Sequence, residues 1–328
     1  MHEELRAALA GLLDGLPPKQ AAQAVERLIT NYRGRTPTDA PVLRDRADVA
    51  AYAAYRMPAT FEAVRAALAA FAARMPGWSP TTHLDIGGGT GAATWATAAT
   101  WQGHHSTVLD WAQPALDLGR ELAAGILPDT DWQRRTLGEG LTLPEGTDLV
   151  TVSYVLGELR PEDRAAVVAA ATTASAVVLI EPGTPDGYLR IREARDQLIA
   201  AGLRIVAPCP HSAGCPIVPL VRKAGEPPAV AGGDWCHFAA RVSRSSLHRQ
   251  VKGGTLSYED EKFSYVAATR LPAEPAPSRI VRKPQLRKGQ VLLDLCTAEE
   301  GVRRSTVTKR HGDLYRAARD AAWGDDWE

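Results

Sequence analysis

The sequence predicts an α/β fold built on an open, mostly parallel sheet. Three observations predict it. Short apolar runs alternate with helical stretches between residues 83 and 207. A glycine-rich turn, Asp85-Ile-Gly-Gly-Gly-Thr-Gly91, separates the first such run from the helix after it. The run Ala176–Ile180 is wholly apolar and Asp148–Ser153 has an apolar interior, as strands covered on both faces should. A chain of 328 residues, 45% hydrophobic, suffices for one large core with appendages or for two domains.

The elements follow in order. Residues 1–78 read as an N-terminal helical region. Leu5, Leu9, Leu12 and Leu13 make one apolar stripe, Ala21–Tyr32 a second run, and a third begins near Asp48. Pro58 is expected to break that third run or to open a new helix over Thr60–Met75. Strands are expected at His83–Ile86, Ser106–Asp110, within Asp129–Gly140, at Asp148–Ser153 and at Ala176–Ile180. Helices are expected through about Ala99, at Ala112–Gly125, Pro161–Thr172 and Asp186–Ala201. Leu203–Ala207 and Lys262–Thr269 are later strands, and residues 79–271 form this domain, with a cysteine-bearing insertion at 208–240. Gly225–Gly233 and Pro272–Pro277 read as loop and linker. Residues 279–328 are a small appended module with a strand at Val291–Leu295 and a terminal helix within Lys309–Ala322.

Charge is balanced, 38 Lys and Arg against 38 Asp and Glu, so any nucleic-acid footprint must be local. Residues 279–316 hold ten basic and four acidic side chains. Arg279, Arg282, Lys283, Arg287, Lys288, Arg303, Arg304, Lys309 and Arg310 make a basic surface suited to phosphate contacts. Arg241, Arg244, His248, Arg249 and Lys252 form a second basic stretch with helical spacing. No stretch of 18 uncharged apolar residues is present, which excludes a helical membrane span, and no leader is evident. The chain is expected to be cytoplasmic.

The loop carries the chemistry of the first half. Glycines permit the tight turn and let a ligand approach the backbone. A dinucleotide site would use such a loop for pyrophosphate. The pattern Asp-x-Gly-x-Gly at Asp85, Gly87 and Gly89, with Gly91, resembles instead the first motif of Rossmann-like methyltransferases. S-adenosylmethionine is therefore the expected cofactor. Asp85 is placed to engage its methionyl ammonium, directly or through water. Asp110, at the end of the second strand, is placed to accept the ribose hydroxyls. Trp111 stands ready to stack near the adenine or simply to pack. Ser153 and Tyr154, at the same sheet edge, are further candidate cofactor-binding residues, Tyr154 and Glu158 are placed to line the acceptor side or to serve structure alone, and Glu181-Pro182-Gly183 ends the next strand.

Four cysteines, Cys209, Cys215, Cys236 and Cys296, all fall in the last 120 residues. Their spacing is neither a zinc knuckle nor a ferredoxin run. Two of them precede prolines in a Pro/Gly/His loop, where core cysteines are not expected. Four thiolates suit tetrahedral zinc or an iron–sulfur cluster, and His211 and His237 are further candidate donors. Either metal would tie the tail to the sheet domain.

Taken together, Ala54–Thr60, His83–Gly91, Val155–Leu159, Val178–Gly183, Cys209–Pro216, Asp234–Arg241, Phe263–Ala267 and Tyr315–Asp325 resemble one family. It comprises the methyltransferase-like proteins of the mitochondrial small ribosomal subunit and their bacterial relatives, the Rsm twenty-two family. The resemblance runs from about residue 30 onward. It implies a class I methyltransferase sheet, an S-adenosylmethionine site, contact with small-subunit ribosomal RNA, and a [4Fe–4S] cluster on Cys209, Cys215, Cys236 and Cys296. It names no catalytic residue. Where an amino-directed enzyme often presents Asn/Asp-Pro-Pro-Tyr/Phe, this chain reads Ser153-Tyr154-Val155-Leu156, and no cysteine precedes position 209. Transfer by positioning alone would leave no acid/base signature. A non-catalytic assembly factor and a small-molecule methyltransferase are the alternatives, and oligomeric state is not readable.

Overall fold

A computed structural model describes residues 2–12, 46–217, 235–246 and 256–328, with a few single positions and a short strand pair between them. Of the expected run Ala21–Tyr32, Ala22, Gln23, Val25 and Glu26 are described and are helical; the rest of it, most of the loop Gly225–Gly233, and Asp234, His248 and Lys252 lie outside the described residues.

The apolar stripe of the first helix, α1 (His2–Gly11), buries Leu5 and Leu9 against α2 (Arg46–Ala72). Pro58 neither ends α2 nor starts a new helix: it lies inside one 27-residue element. Proline removes one backbone hydrogen bond, but Ala53, Met57, Phe61, Val64, Leu68 and Phe71 are all buried along this helix. Packing of that face outweighs the local penalty.

The sheet begins at β1 (Thr82–Ile86), and α3 (Ala92–Thr100), β2 (His105–Asp110), α4 (Gln113–Ala123) and β3 (Thr130–Arg134) follow. The second half comprises β4 (Leu149–Ser153), α5 (Pro161–Ala171), β5 (Ala176–Pro182), α6 (Pro185–Ala200) and β6 (Arg204–Ala207). A short ribbon pairs β7 (Pro219–Leu220) with β8 (Ala229–Val230). Then come β9 (Phe238–Ser243) and β10 (Tyr258–Thr269). The spatial order is β3-β2-β1-β4-β5-β10-β6, with β9 added on β10. Strands β1 to β5 pair in parallel, while β10 runs antiparallel between β5 and β6. This is the expected Rossmann-like sheet in its methyltransferase form. Its order reverses between β1 and β4, so the loops after those two strands flank the crevice where open α/β sheets bind ligands.

The tail is a separate five-stranded antiparallel sheet. It comprises β11 (Ser278–Ile280), β12 (Gln285–Arg287), β13 (Gln290–Thr297), β14 (Gly301–Thr308) and β15 (Asp326–Trp327). The helix α7 (Asp313–Asp320) packs on it through Ala318, within a core of Ile280, Val291, Leu293, Leu295, Val307 and Trp327.

Two expectations about charge change here. Arg279 is no part of a basic surface. Its side chain is 3% exposed, and it donates to the carbonyls of Pro208 and Gly324 and pairs with Asp326. Of the second basic stretch, Arg241 lies on a strand, β9, and Arg244 just after it, whereas Ser246 and Arg249 are helical. Arg241 pairs with Asp260 and Arg244 with Glu259, so their charge is already met. β-Branched and aromatic residues at Phe238, Val242, Tyr258 and Phe263 favour pairing over helical charge spacing.

Candidate functional site

The glycine loop is shaped from beneath. Gly87 and Gly88 both donate to the Leu109 carbonyl, at 2.7 and 3.2 Å, closing the turn onto β2. Gly87 has φ +70, and a Cβ there would come within 2.2 Å of Val155. Gly91 has φ +85 and sits over the Trp132 ring, 2.6 Å from any added Cβ. Both conditions admit only glycine. Gly89 is different: an added Cβ would meet nothing nearer than Asp110 at 3.8 Å. The second glycine of the motif therefore faces open space.

Asp85 is wholly buried and does not reach into that space. Its two oxygens accept from Thr151 at 2.9 Å and Thr94 at 3.1 Å. Desolvation raises its pKa to about 6, with the two threonines opposing. In this structure Asp85 braces the loop from beneath, through Thr94 and Thr151. Neither threonine was singled out in the sequence, although both stand on elements that flank β1. Asp110 sits where expected, at the end of β2. One oxygen accepts from the Gly89 amide at 2.9 Å and the other from Ala112 at 2.8 Å. A carboxylate has about four lone-pair sites, so Asp110 retains acceptor capacity toward the crevice. Burial raises its pKa. Trp111 beside it is 47% exposed.

Across the crevice, Ser153 is buried at the end of β4. Tyr154 follows at φ +60, a left-handed conformation that is costly for a bulky residue. It is held by three elements. Its amide bonds to Ile180 at 2.8 Å, its hydroxyl donates to Glu261 of β10 at 3.0 Å, and Arg56 of α2 lies 5.7 Å from its ring. Arg56 also pairs with Glu261 at 3.1 Å. Next to Arg56, Met57 receives the Thr90 hydroxyl of the glycine loop at 3.4 Å. Helix α2 thus touches both sides of the crevice. Sequence reasoning missed this, because Arg56 and Glu261 are 205 positions apart. Glu181 accepts from the Leu156 amide and from Arg190, fixing the turn after β4. Glu158 keeps a solvent-exposed face yet is crowded by protein. Desolvation, then the carboxylates of Asp110 and Glu181, raise its pKa to about 7.

The second site lies farther along β10, whose Ser264 and Tyr265 line it. Cys209, Cys215, Cys236 and Cys296 line one cavity, although they come from three separate stretches of chain. Cys296 is buried on β13 and the others are half-buried. The thiols sense one another. Burial and then the three other cysteines push the Cys236 pKa well up, and Cys296 is raised to about 12. Cys215 lies 3.4 Å from the Tyr188 hydroxyl, and Cys296 lies 3.9 Å from His211 Nε2. His237 instead stacks on Trp235, at 4.9 Å, and its Nδ1 faces the Trp235 carbonyl. Among the described residues, no three His, Cys, Asp or Glu side chains are already gathered as an ion-binding set. The donor chemistry nonetheless fits a metal. Four thiols face one space, and buried N–H groups of Arg192, Arg195 and Arg279 around them have no hydrogen-bond partner.

The tail carries Lys283, Arg287, Lys288, Lys309 and Arg310 as exposed cations. The Lys309 amide bonds to the Gly289 carbonyl at 3.1 Å, which brings the pairs 287–288 and 309–310 to one end of the module. Arg303 and Arg304 are partly spent on Glu300 and Asp294. No helix among the described residues is long and apolar enough to cross a membrane.

A family model described as mitochondrial small ribosomal subunit Rsm22 matches residues 46–328. The human ribosome assembly protein METTL17, mitochondrial, is 29% identical over 303 residues, covering 84% of this chain and 61% of that protein. The Rsm22-cox11 tandem protein 2, mitochondrial, of Schizosaccharomyces pombe is 30% identical over 179 residues, 45% of this chain and 24% of that protein. The chain thus spans about three fifths or less of these relatives. Among solved structures, magnesium protoporphyrin IX methyltransferase from Synechocystis with bound SAM aligns at 14% identity and a TM-score of 0.40, covering 68% of this chain and 84% of that one. A SAM-dependent methyltransferase from Aquifex aeolicus aligns at 12% identity and a TM-score of 0.38, covering 52% and 94%. Values this low assign no ligand or reaction. The expected cytoplasmic location is corrected by the first group of findings. The family and these relatives are described as mitochondrial, which points to the mitochondrion.

Proposed function

The chain belongs to the Rsm22 family, and on that premise we propose that it is an S-adenosylmethionine-binding, methyltransferase-like protein that engages small-subunit ribosomal RNA during ribosome assembly or translation and holds an iron–sulfur cluster on its four cysteines. The observation that carries the cofactor reading is the glycine loop tied to Asp110 at the point where the strand order reverses. A bound S-adenosylmethionine would supply an electrophilic methyl group. The residues of this chain would bind and orient it. Gly87, Gly89 and Gly91 present backbone, Asp110 accepts the ribose hydroxyls, Trp111 borders the base, and Asp85 braces the loop from below. Ser153 and Tyr154 form the acceptor wall.

The cysteine cavity supports the metal reading. Cys209, Cys215, Cys236 and Cys296 would hold the cluster, which would cross-link the sheet domain, residues 79–271, to the basic module, residues 279–328. Zinc is the alternative occupant. The exposed cations at 283, 287, 288, 309 and 310 would then lie on the RNA-facing side of a module fixed in place.

A non-catalytic assembly factor is the second reading, and one observation favours it. At the acceptor wall the Tyr154 hydroxyl is committed to Glu261 and so is not free for proton transfer. Titration calorimetry with S-adenosylmethionine tests the first reading, and absence of any binding heat would sink it. If Asp110→Asn abolishes cofactor binding but leaves small-subunit assembly intact, the second reading replaces the first. Iron and sulfide analysis of anaerobically purified protein decides the metal, and stoichiometric zinc would overturn the cluster.

A further inference from the structure

Helix α6 turns Tyr188, Arg192 and Arg195 toward the cysteine cavity at positions i, i+4 and i+7. Arg195 is the unusual member. Its side chain is 4% exposed, and a buried guanidinium is strongly disfavoured unless an anion meets it. The carboxylate at ion-pair distance among the described residues is Asp196, at 3.4 Å, and that side chain is 62% exposed. One terminal nitrogen donates to the carbonyls of His211 and Ala213, at 3.0 and 2.6 Å, both between Cys209 and Cys215. Its Nε–H is buried and has no partner. Arg192 lines the same cavity, and its Nε–H is likewise buried without one. Arg279, by contrast, already has Asp326.

We propose that Arg195, supported by Arg192, is the counter-charge built into the cysteine cavity, with its free Nε–H directed to the sulfur of the bound centre. This rests on the metal reading above. The anions missing from the surroundings of Arg195 are supplied when the four thiols ionise on metal binding. The same residue shapes the loop that carries two of the ligands, so it acts as a positioning residue as well as a charge. Arginine suits both tasks, because its planar fork holds two carbonyls while a further N–H points elsewhere.

The test loads the full chain anaerobically with ferrous iron and sulfide, comparing wild type with Arg195→Gln, Arg195→Lys and Arg192→Gln. Circular dichroism of the unloaded proteins checks folding. Three quantities are measured: iron and sulfide content, the rate of cluster loss to a chelator, and the midpoint potential by spectroscopic titration. Arg195→Gln is expected to lose the cluster about 10–100-fold faster, in the range usual for residues that support metal ligands. Its potential should fall, because a nearby positive charge stabilises the more negative, reduced state. Arg195→Lys keeps the charge and should recover the potential but not the retention. Arg192→Gln should lower the potential with little effect on retention, which keeps the idea testable if Arg195→Gln does not fold. Unchanged potentials in both glutamine variants overturn the assignment while leaving the metal reading intact. Wild-type protein that takes up neither iron and sulfide nor zinc overturns both.

Discussion

The glycine loop and the cysteine cavity, each proposed above to hold a small group, are built by opposite means. The loop is contiguous, seven residues from Asp85 to Gly91, and its geometry comes from backbone conformation. Its supports lie on adjoining strands. The cavity gathers cysteines from Cys209 to Cys296 and depends on the tail sheet docking against the main one. A contiguous site survives loosening of distant packing, whereas a dispersed site is a measure of it. The first should therefore respond to changes in the backbone and the second to changes in tertiary connection.

The largest effect expected from this contrast is at the cavity. Cys296→Ser should abolish cluster loading and also release the tail, read as increased protease cleavage between residues 271 and 279. Full protection in that variant would show that Arg279 and its carbonyl partners suffice without the thiol. Next is Gly91→Ala, which combines a left-handed φ with a 2.6 Å approach to Trp132. It should cost about 1–3 kcal/mol in urea unfolding and weaken S-adenosylmethionine binding while leaving iron content unchanged. Parallel loss of iron would break the supposed independence of the two sites.

The buried Asp85 gives a pH signature. Its folded pKa of about 6 lies above the unfolded value of 3.8, so the folded state binds the proton more tightly. Its contribution is then fully present below about pH 4 and is lost as pH rises through 6, a weakening of roughly 3 kcal/mol. Urea midpoints across pH 4 to 8 should show that slope, and Asp85→Asn should flatten it. An equal slope in the variant would assign the effect to another group. The smallest change concerns the tail. Lys283→Ala and Arg287→Ala should each weaken RNA binding modestly and lower its salt slope by about one. An unchanged slope would remove those side chains from the interface.

Legibility in the sequence followed the same division. Strands β1, β2, β4 and β5 and the glycine turn were readable because each is fixed by neighbours within a few residues. Asp110 was readable because it ends a strand at a predictable distance from the loop. The threonine partners of Asp85 were not, since only packing brings Thr94 and Thr151 near it. The four cysteines were picked out by their setting and expected together, and they line one cavity; the residues that bring them there, Arg195 and Arg279 among them, were not. Arg56, Glu261 and Arg195 were invisible for the same reason. Pro58 marks the opposite failure, a strong local signal overruled by a long buried helix face.

One strand bears on both places. On β10, Glu261 holds Tyr154 at the crevice, and Ser264 donates to the Cys236 carbonyl at 2.8 Å behind it. They are three residues apart, about 10 Å along the strand, and alternation sends them to opposite faces. β10 is thus a two-sided ruler. Deleting one residue between these positions would turn every later side chain over, so the chain can lengthen at its loops but not here.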